Sequence, residues 1–131
     1  MENGGAVLDD HQYCCMLEEH ICDNHGEIPL ERTKDCRDFH HRKLAVRKND
    51  AKRLGTPLMI SELGACSNSE ECFREVEAST DAADLFAASW SHWAFKGFRD
   101  HTTHAGQVEG LYDIDGQREN HKIKALSRTY I

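Results

Sequence analysis

The segment Gly55-Thr56-Pro57-Leu58-Met59-Ile60-Ser61-Glu62-Leu63-Gly64-Ala65 constrains this chain most. Gly55 and Pro57 stop whatever precedes them. Leu58, Met59 and Ile60 form an apolar run too short for a helix and suited to a buried strand. A single carboxylate, Glu62, stands at the end of that run, followed at once by Gly64. A buried charge costs several kcal/mol or more unless paired. The spacing therefore predicts a core strand that delivers Glu62 to its carboxyl end, where α/β enzymes collect their reactive groups.

The flanking sequence alternates. Residues 6–13 predict a strand with a polar exit, and His11 and Tyr13, two apart, share a face in extended chain. Residues 14–32 have no clear period and read as a long loop. From Glu31 to Leu54, Cys36, Phe39, Val46 and Leu54, flanked by Leu44 and Ala51, form an apolar stripe on a helix that Gly55 ends. His40 and His41 fall on its polar shoulder. Asn68 and Glu71 have capping-box spacing for a helix that continues through Phe73, Val76, Thr80 and Ala83 to about Asp84. Residues 86–95, which hold both tryptophans, predict a third strand. A loop over 97–110 follows; its His101 and His104 take no role. Asp113-Ile114-Asp115-Gly116 reads as a hairpin turn, its glycine too early for a calcium loop. A last helix runs from Asn120 to Tyr130. Strand–helix alternation of this kind implies α/β architecture with parallel strands. Three such strands leave two bare edges, so residues 1–131 are expected to be part of a larger unit.

Among 131 residues, 23 acidic side chains outnumber 16 basic ones, a net charge of −7. That balance argues against nucleic acid and against an anionic membrane surface as partners. No run is long enough for a transmembrane helix. The opening Met1-Glu2-Asn3-Gly4-Gly5 lacks the features of a signal peptide, yet six cysteines, at 14, 15, 22, 36, 66 and 72, permit three disulfides. Cys66 and Cys72 bracket a short loop and are candidates for one local bridge; Cys14, Cys15 and Cys22 could tie down the long loop. A rival reading uses Cys22, His25, Cys36 and His40, whose finger-like spacing suits tetrahedral zinc, with His20, His41, Cys14 and Cys15 as substitutes.

If the strands are parallel, their ends place His11, Tyr13, Glu62, Trp90 and Trp93 around one mouth. A carboxylate that can attack or stabilise an oxocarbenium-like centre, a phenol to hydrogen-bond it and an indole platform suit sugar chemistry. Ile60-Ser61-Glu62-Leu63-Gly64-Ala65, the triplet His11-Gln12-Tyr13, and Ser89-Trp90-Ser91-His92-Trp93-Ala94-Phe95-Lys96 resemble glycoside hydrolase family 5, most of all its endoglycoceramidase-like members. Gly110-Leu111-Tyr112-Asp113 and Ala125-Leu126-Ser127-Arg128-Thr129-Tyr130 extend the resemblance to residues 7–130.

The resemblance implies a partial (β/α)8 TIM barrel, its last three β/α units only, with Glu62 as the retaining nucleophile. It implies Tyr13 bonded to Glu62, His11 beside them, and Trp93, with Trp90, facing substrate. Substrates in that branch are glycosphingolipids, and no cofactor is implied. The family's general acid, a glutamate after an asparagine, is missing: Asn3, Asn68 and Asn120 precede Gly, Ser and His. The chain is therefore expected to be the inactive C-terminal portion of a secreted or lysosomal glycosidase. Cys14, Cys22 and Cys36, with Cys66 and Cys72, would be disulfide partners there. A non-catalytic glycan-binding remnant that keeps the Trp platform is the remaining alternative. Asp9 and Asp10 fall where apolar strand residues are expected.

Overall fold

The structure, a computed structural model, describes residues 5–17, 19–23, 28–98 and 109–127. Strand β2 (Leu58–Leu63) lies between β1 (Leu8–Gln12) and β3 (Ser89–His92), parallel to both. Helix α2 (Thr33–Leu54) crosses from β1 to β2, and α3 (Glu70–Leu85) from β2 to β3. The two helices pack on each other as well as on the sheet. Leu58, Ile60 and Leu63 of β2 are buried with Leu44 and Ala51 of α2 and Ala82 and Ala83 of α3.

Gly55 ends α2 at φ 67°, its N–H donating to the Ala51 and Lys52 carbonyls, a left-handed step that glycine takes without steric cost. The stripe along α2 differs from the expected one. Cys36, Phe39, His40, Leu44 and Ala51 are buried, while Val46 and Leu54 are exposed. Val46 stands two residues, about 200° of helix rotation, past buried Leu44, which turns it outward. His40, expected on the polar shoulder, has no exposed surface. At α3 the cap is Ser69, whose hydroxyl accepts from the Cys72 N–H at 3.1 Å; Asn68 is not the cap. Glu70 and Glu71 occupy the first turn, where the helix dipole favours acids.

The expected partial (β/α)8 barrel is corrected by the structure. The three strands form an open sheet in simple order β1-β2-β3, and among the described residues no barrel unit is evident. Closure would require the outer edges of β1 and β3 to be paired at a barrel's shear; in the open sheet only β2 has a neighbour on each side.

The segment expected as a structureless loop holds a short helix, α1 (Cys14–Leu17), and 3-10 turns at Glu19–Ile21 and Leu30–Arg32. A second core of Cys14, Ile21, Ile28, Cys36, Phe39 and Ala78 lies beneath it. Disulfides Cys14–Cys36 and Cys15–Cys22 fasten it, and Cys66–Cys72 closes the loop between β2 and α3. Helix α4 (Asn120–Leu126) is shorter than expected; Tyr130, His101 and His104 lie outside the described residues. The Asp113–Gly116 turn is present, with the Asp113 carboxylate accepting from the Asp115 and Gln117 N–H groups.

The Cys14–Cys36 bridge spans 22 residues, a loop whose closure limits the unfolded chain by about 3 kcal/mol. Replacing both cysteines by alanine is expected to lower unfolding stability by about that amount, read as a lower urea midpoint with a steeper slope, since the released unfolded chain exposes more surface.

Candidate functional site

Strict alternation along β2 would bury Glu62 with Leu58 and Ile60. The ladder to β1 prevents this. Asp10 pairs with Ile60 and His11 with Glu62, so Ser61 is an extra residue on β2; the ladder to β3 shifts over the same stretch. Such a bulge re-aims the side chains beyond it. Leu63 takes the buried position and Glu62 leaves the core, its side chain 22% exposed.

A bulged residue loses its ladder partners and needs others. The Ser61 N–H donates to Asp9 Oδ1 at 3.2 Å, and the Ser61 carbonyl accepts from the Ser91 hydroxyl. A hydrogen bond from the Ser61 side chain, more than the one from its N–H, holds the Asp9 carboxyl below its usual range. Asp10, also unexpected in a strand, ties β1 to α2: it meets Lys43 at 3.1 Å and Arg47 at 3.4 Å. Its Oδ2 accepts from the Gln12 side-chain amide at 3.0 Å. The two aspartates thus support the strand instead of weakening it.

His11, opposite Glu62 in the register, brings Nδ1 to 2.7 Å from Glu62 Oε2. Its Nε2 is 4.0 Å from Asp9, and its carbonyl accepts from Lys43. The ring is thereby held between two carboxylates. The Tyr13 hydroxyl is buried and makes no hydrogen bond of good geometry. Burial, then the nearby charge of Glu62, pushes the phenol well above its usual value, so it stays protonated and available as a donor.

The tryptophans part company. Trp90 pairs with Ile60 and, partly buried, packs against the main core. Trp93, just beyond β3, is half-buried, and its N–H donates to the Leu63 carbonyl at 2.8 Å; its peptide bond to Ala94 is cis.

Under the Glu62 strand end lies His92, which the sequence reading passed over. Both its ring nitrogens are buried without hydrogen bonds. Burial, then the Lys122 charge, pulls the ring down to about 4. Lys122 is itself buried and donates to the Cys66 and Glu109 carbonyls at 2.9 and 3.0 Å; desolvation lowers it to about 8. Gly64 makes room for His92. A Cβ there would stand 2.7 Å from His92 Cδ2 and 3.3 Å from Val76 Cγ2, at φ +81°. Gly64→Ala combines a disfavoured backbone with that overlap, and is expected to cost about 2–4 kcal/mol, measured by chemical denaturation.

A second polar cluster, also missed, lies beside the first disulfide. Glu75 is 6% exposed, and its Oε1 accepts from the Cys14 N–H at 2.9 Å. Burial raises its carboxyl to about 7. His40 Nε2 lies 4.0 Å from Glu75. The one available signal was spacing: Glu75 falls on the buried stripe of α3 with Cys72, Val76 and Ser79. Both cysteines of the expected zinc set are taken up in disulfides. Cys22 pairs with Cys15 and Cys36 with Cys14, and His25 lies outside the described residues. A separate hollow of about 360 Å³ between α3 and α4 is lined by Phe73, Glu77, His121 and Lys124 among others, and none of the expected site residues lines it.

No protein-family profile and no curated protein matches the chain. Among the described residues, no helix is long and apolar enough to cross a membrane. In fold, the chain is similar to the Clostridial cellulose synthase subunit Z (CcsZ) from Clostridioides difficile, with a TM-score of 0.59 at 13% identity. The match covers 93% of this chain and 40% of that one, so the chain spans well under half the length of the protein it resembles in fold.

Proposed function

We propose that Glu62 is the nucleophile of a retaining glycosidase site, of which this chain carries one side, and that the site belongs to the family 5 chemistry its motifs resemble. One observation carries the reading: Glu62, bulged out of the core at a strand end, is held at 2.7 Å by His11. A carboxylate so placed can attack an anomeric carbon while His11 fixes one oxygen and leaves the other free. Tyr13, kept protonated, is a second donor for the attacking group. The substrate class is a β-glycoside, a glycosphingolipid by the motif resemblance. The longer protein would act in the secretory or lysosomal space, which suits three disulfides.

Retaining hydrolysis uses two carboxyls about 5–5.5 Å apart, one of them to protonate the leaving group. The motif supplies one. A leaving group that departs without protonation bypasses the second. Incubation with a dinitrophenyl 2-deoxy-2-fluoro-β-glucoside should therefore add one fluoroglucosyl unit to the chain, at the peptide containing Glu62. Mass spectrometry showing no adduct, or an adduct at another residue, would overturn the nucleophile assignment.

A further inference from the structure

Four side chains from three helices meet beneath the Cys14–Cys36 bridge. One ligand atom each from Cys14, Cys36, His40 and Glu75 lies within 4.8 Å of every other, and all four residues are buried. The orientation of His40 is fixed from behind. Gln12 donates its amide N–H to Asp10 Oδ2 at 3.0 Å, which leaves its carbonyl oxygen for His40 Nδ1 at 3.1 Å. That oxygen can only accept, so Nδ1 carries the proton and Nε2 keeps a bare lone pair. Nε2 has no exposed surface and makes no hydrogen bond. It stands 4.0 Å from Glu75 Oε1.

An imidazole whose rear N–H is anchored on a carbonyl, with its front lone pair unused, is the arrangement a metal-binding histidine requires. With Zn–S near 2.3 Å and Zn–N or Zn–O near 2.0 Å, tetrahedral ligand atoms stand roughly 3.3–3.8 Å apart. The cluster needs a contraction from separations of at most 4.8 Å, with His40 Nε2 and Glu75 Oε1 already 4.0 Å apart, and the parting of the two sulfurs.

We infer that Cys14, Cys36, His40 and Glu75 form a zinc site that exists when the Cys14–Cys36 disulfide is reduced and is abolished when it is oxidised. The chemistry balances. Two equivalents of a monothiol reductant deliver two electrons and two protons to the sulfur–sulfur bond, giving two protein thiols and the reductant's own disulfide. Zn²⁺ then displaces both thiol protons, together with any proton held by Glu75, to solvent and takes the Glu75 carboxylate and the His40 lone pair as its other ligands. Two thiolates, an imidazole and a carboxylate suit zinc, which accepts S, N and O donors in one tetrahedron. The ion would replace the disulfide as the fastening of α1 and α2, adding α3. The inference does not depend on the glycosidase reading.

The test compares the whole chain before and after reduction with tris(2-carboxyethyl)phosphine, which becomes the phosphine oxide. Zinc is titrated against a chromophoric chelator, and Co²⁺ reports the ligands through thiolate charge-transfer and tetrahedral absorption bands. One tightly held ion per chain is expected after reduction and none before. Gln12→Ala, which frees the rear of His40, should weaken binding about 10–100-fold. Cys15→Ala with Cys22→Ala should leave binding unchanged, and so should Cys66→Ala with Cys72→Ala. If the reduced chain unfolds, refolding on zinc addition supports the site. The inference is overturned by equal binding before reduction, by no ion or refolding after it, or by binding that follows Cys15 and Cys22 instead of Cys14 and Cys36.

Discussion

Glu62→Gln is expected to slow covalent labelling by the activated fluoroglucoside on the order of 10³-fold or more, the scale on which removing a nucleophile acts. The substitution is nearly isosteric. The glutamine carbonyl can still accept from His11 Nδ1, which now meets Glu62 at 2.7 Å, so the strand end should keep its shape. What is lost is the negative charge, and a neutral amide does not form the glycosyl ester. His11→Ala tests a different part of the arrangement. It leaves the carboxylate but removes its fixed partner, and loose positioning of a reacting group costs up to about 100-fold. The order Glu62→Gln far below His11→Ala, with native far-UV circular dichroism in both, supports attack by Glu62. Equal labelling of Glu62→Gln and the native chain would place the nucleophile elsewhere.

Why some of this site was legible in the sequence and some was not follows from the kinds of contact involved. The strand around Ile60, the long helix up to Gly55 and the crossover through α3 leave local signatures: an apolar run, a helical period, a glycine stop. His11 could be set near Glu62 because both end parallel strands. The Ser61 bulge could not be seen, since it depends on pairing with β1, and Asp9 therefore looked misplaced when it is the partner of the bulged amide. The same holds for His40. Its polarity suggested an exposed shoulder, but a residue 28 positions earlier, Gln12, partners its Nδ1 in the interior. The parallel strand order was foreseeable from the alternation of elements. Barrel closure was not, because it came from a motif resemblance and requires edge partners that the open sheet lacks. The cysteine spacing suggested the Cys66–Cys72 bridge, whereas Cys14–Cys36 joins elements whose proximity only folding creates.

The buried ionisable groups set the acid stability of the disulfide-bonded chain, and they do not all push in one direction. Burial holds His40 down to about 3 and His92 to about 4, from an ordinary 6.5. In the unfolded chain both rings take up protons as pH falls through 6.5, and the folded chain does not follow, so stability falls with acid. Glu75 opposes this. Its carboxyl, raised from 4.5 to about 7, keeps a proton in the fold that the unfolded chain releases, so between pH 7 and 4.5 it stabilises as pH falls. The two histidines outweigh the one acid by one proton in the window from 6.5 to 4.5, a slope of about 1.4 kcal/mol per pH unit. Below 4.5 the Glu75 contribution is complete and the slope steepens until His92 protonates in the fold. The expected loss from pH 6.5 to 4 is roughly 4 kcal/mol, a large part of an ordinary domain's stability. Urea unfolding at half-unit pH steps should show a maximum near 6.5, a shallow decline, then a steep one. Glu75→Gln, whose side-chain oxygen can still accept from the Cys14 N–H, should roughly double the slope between 6.5 and 4.5. His92→Gln should flatten it to near zero there, because the His40 and Glu75 contributions then cancel. A slope unchanged in both variants would show that neither group is buried in the protonation state assigned to it.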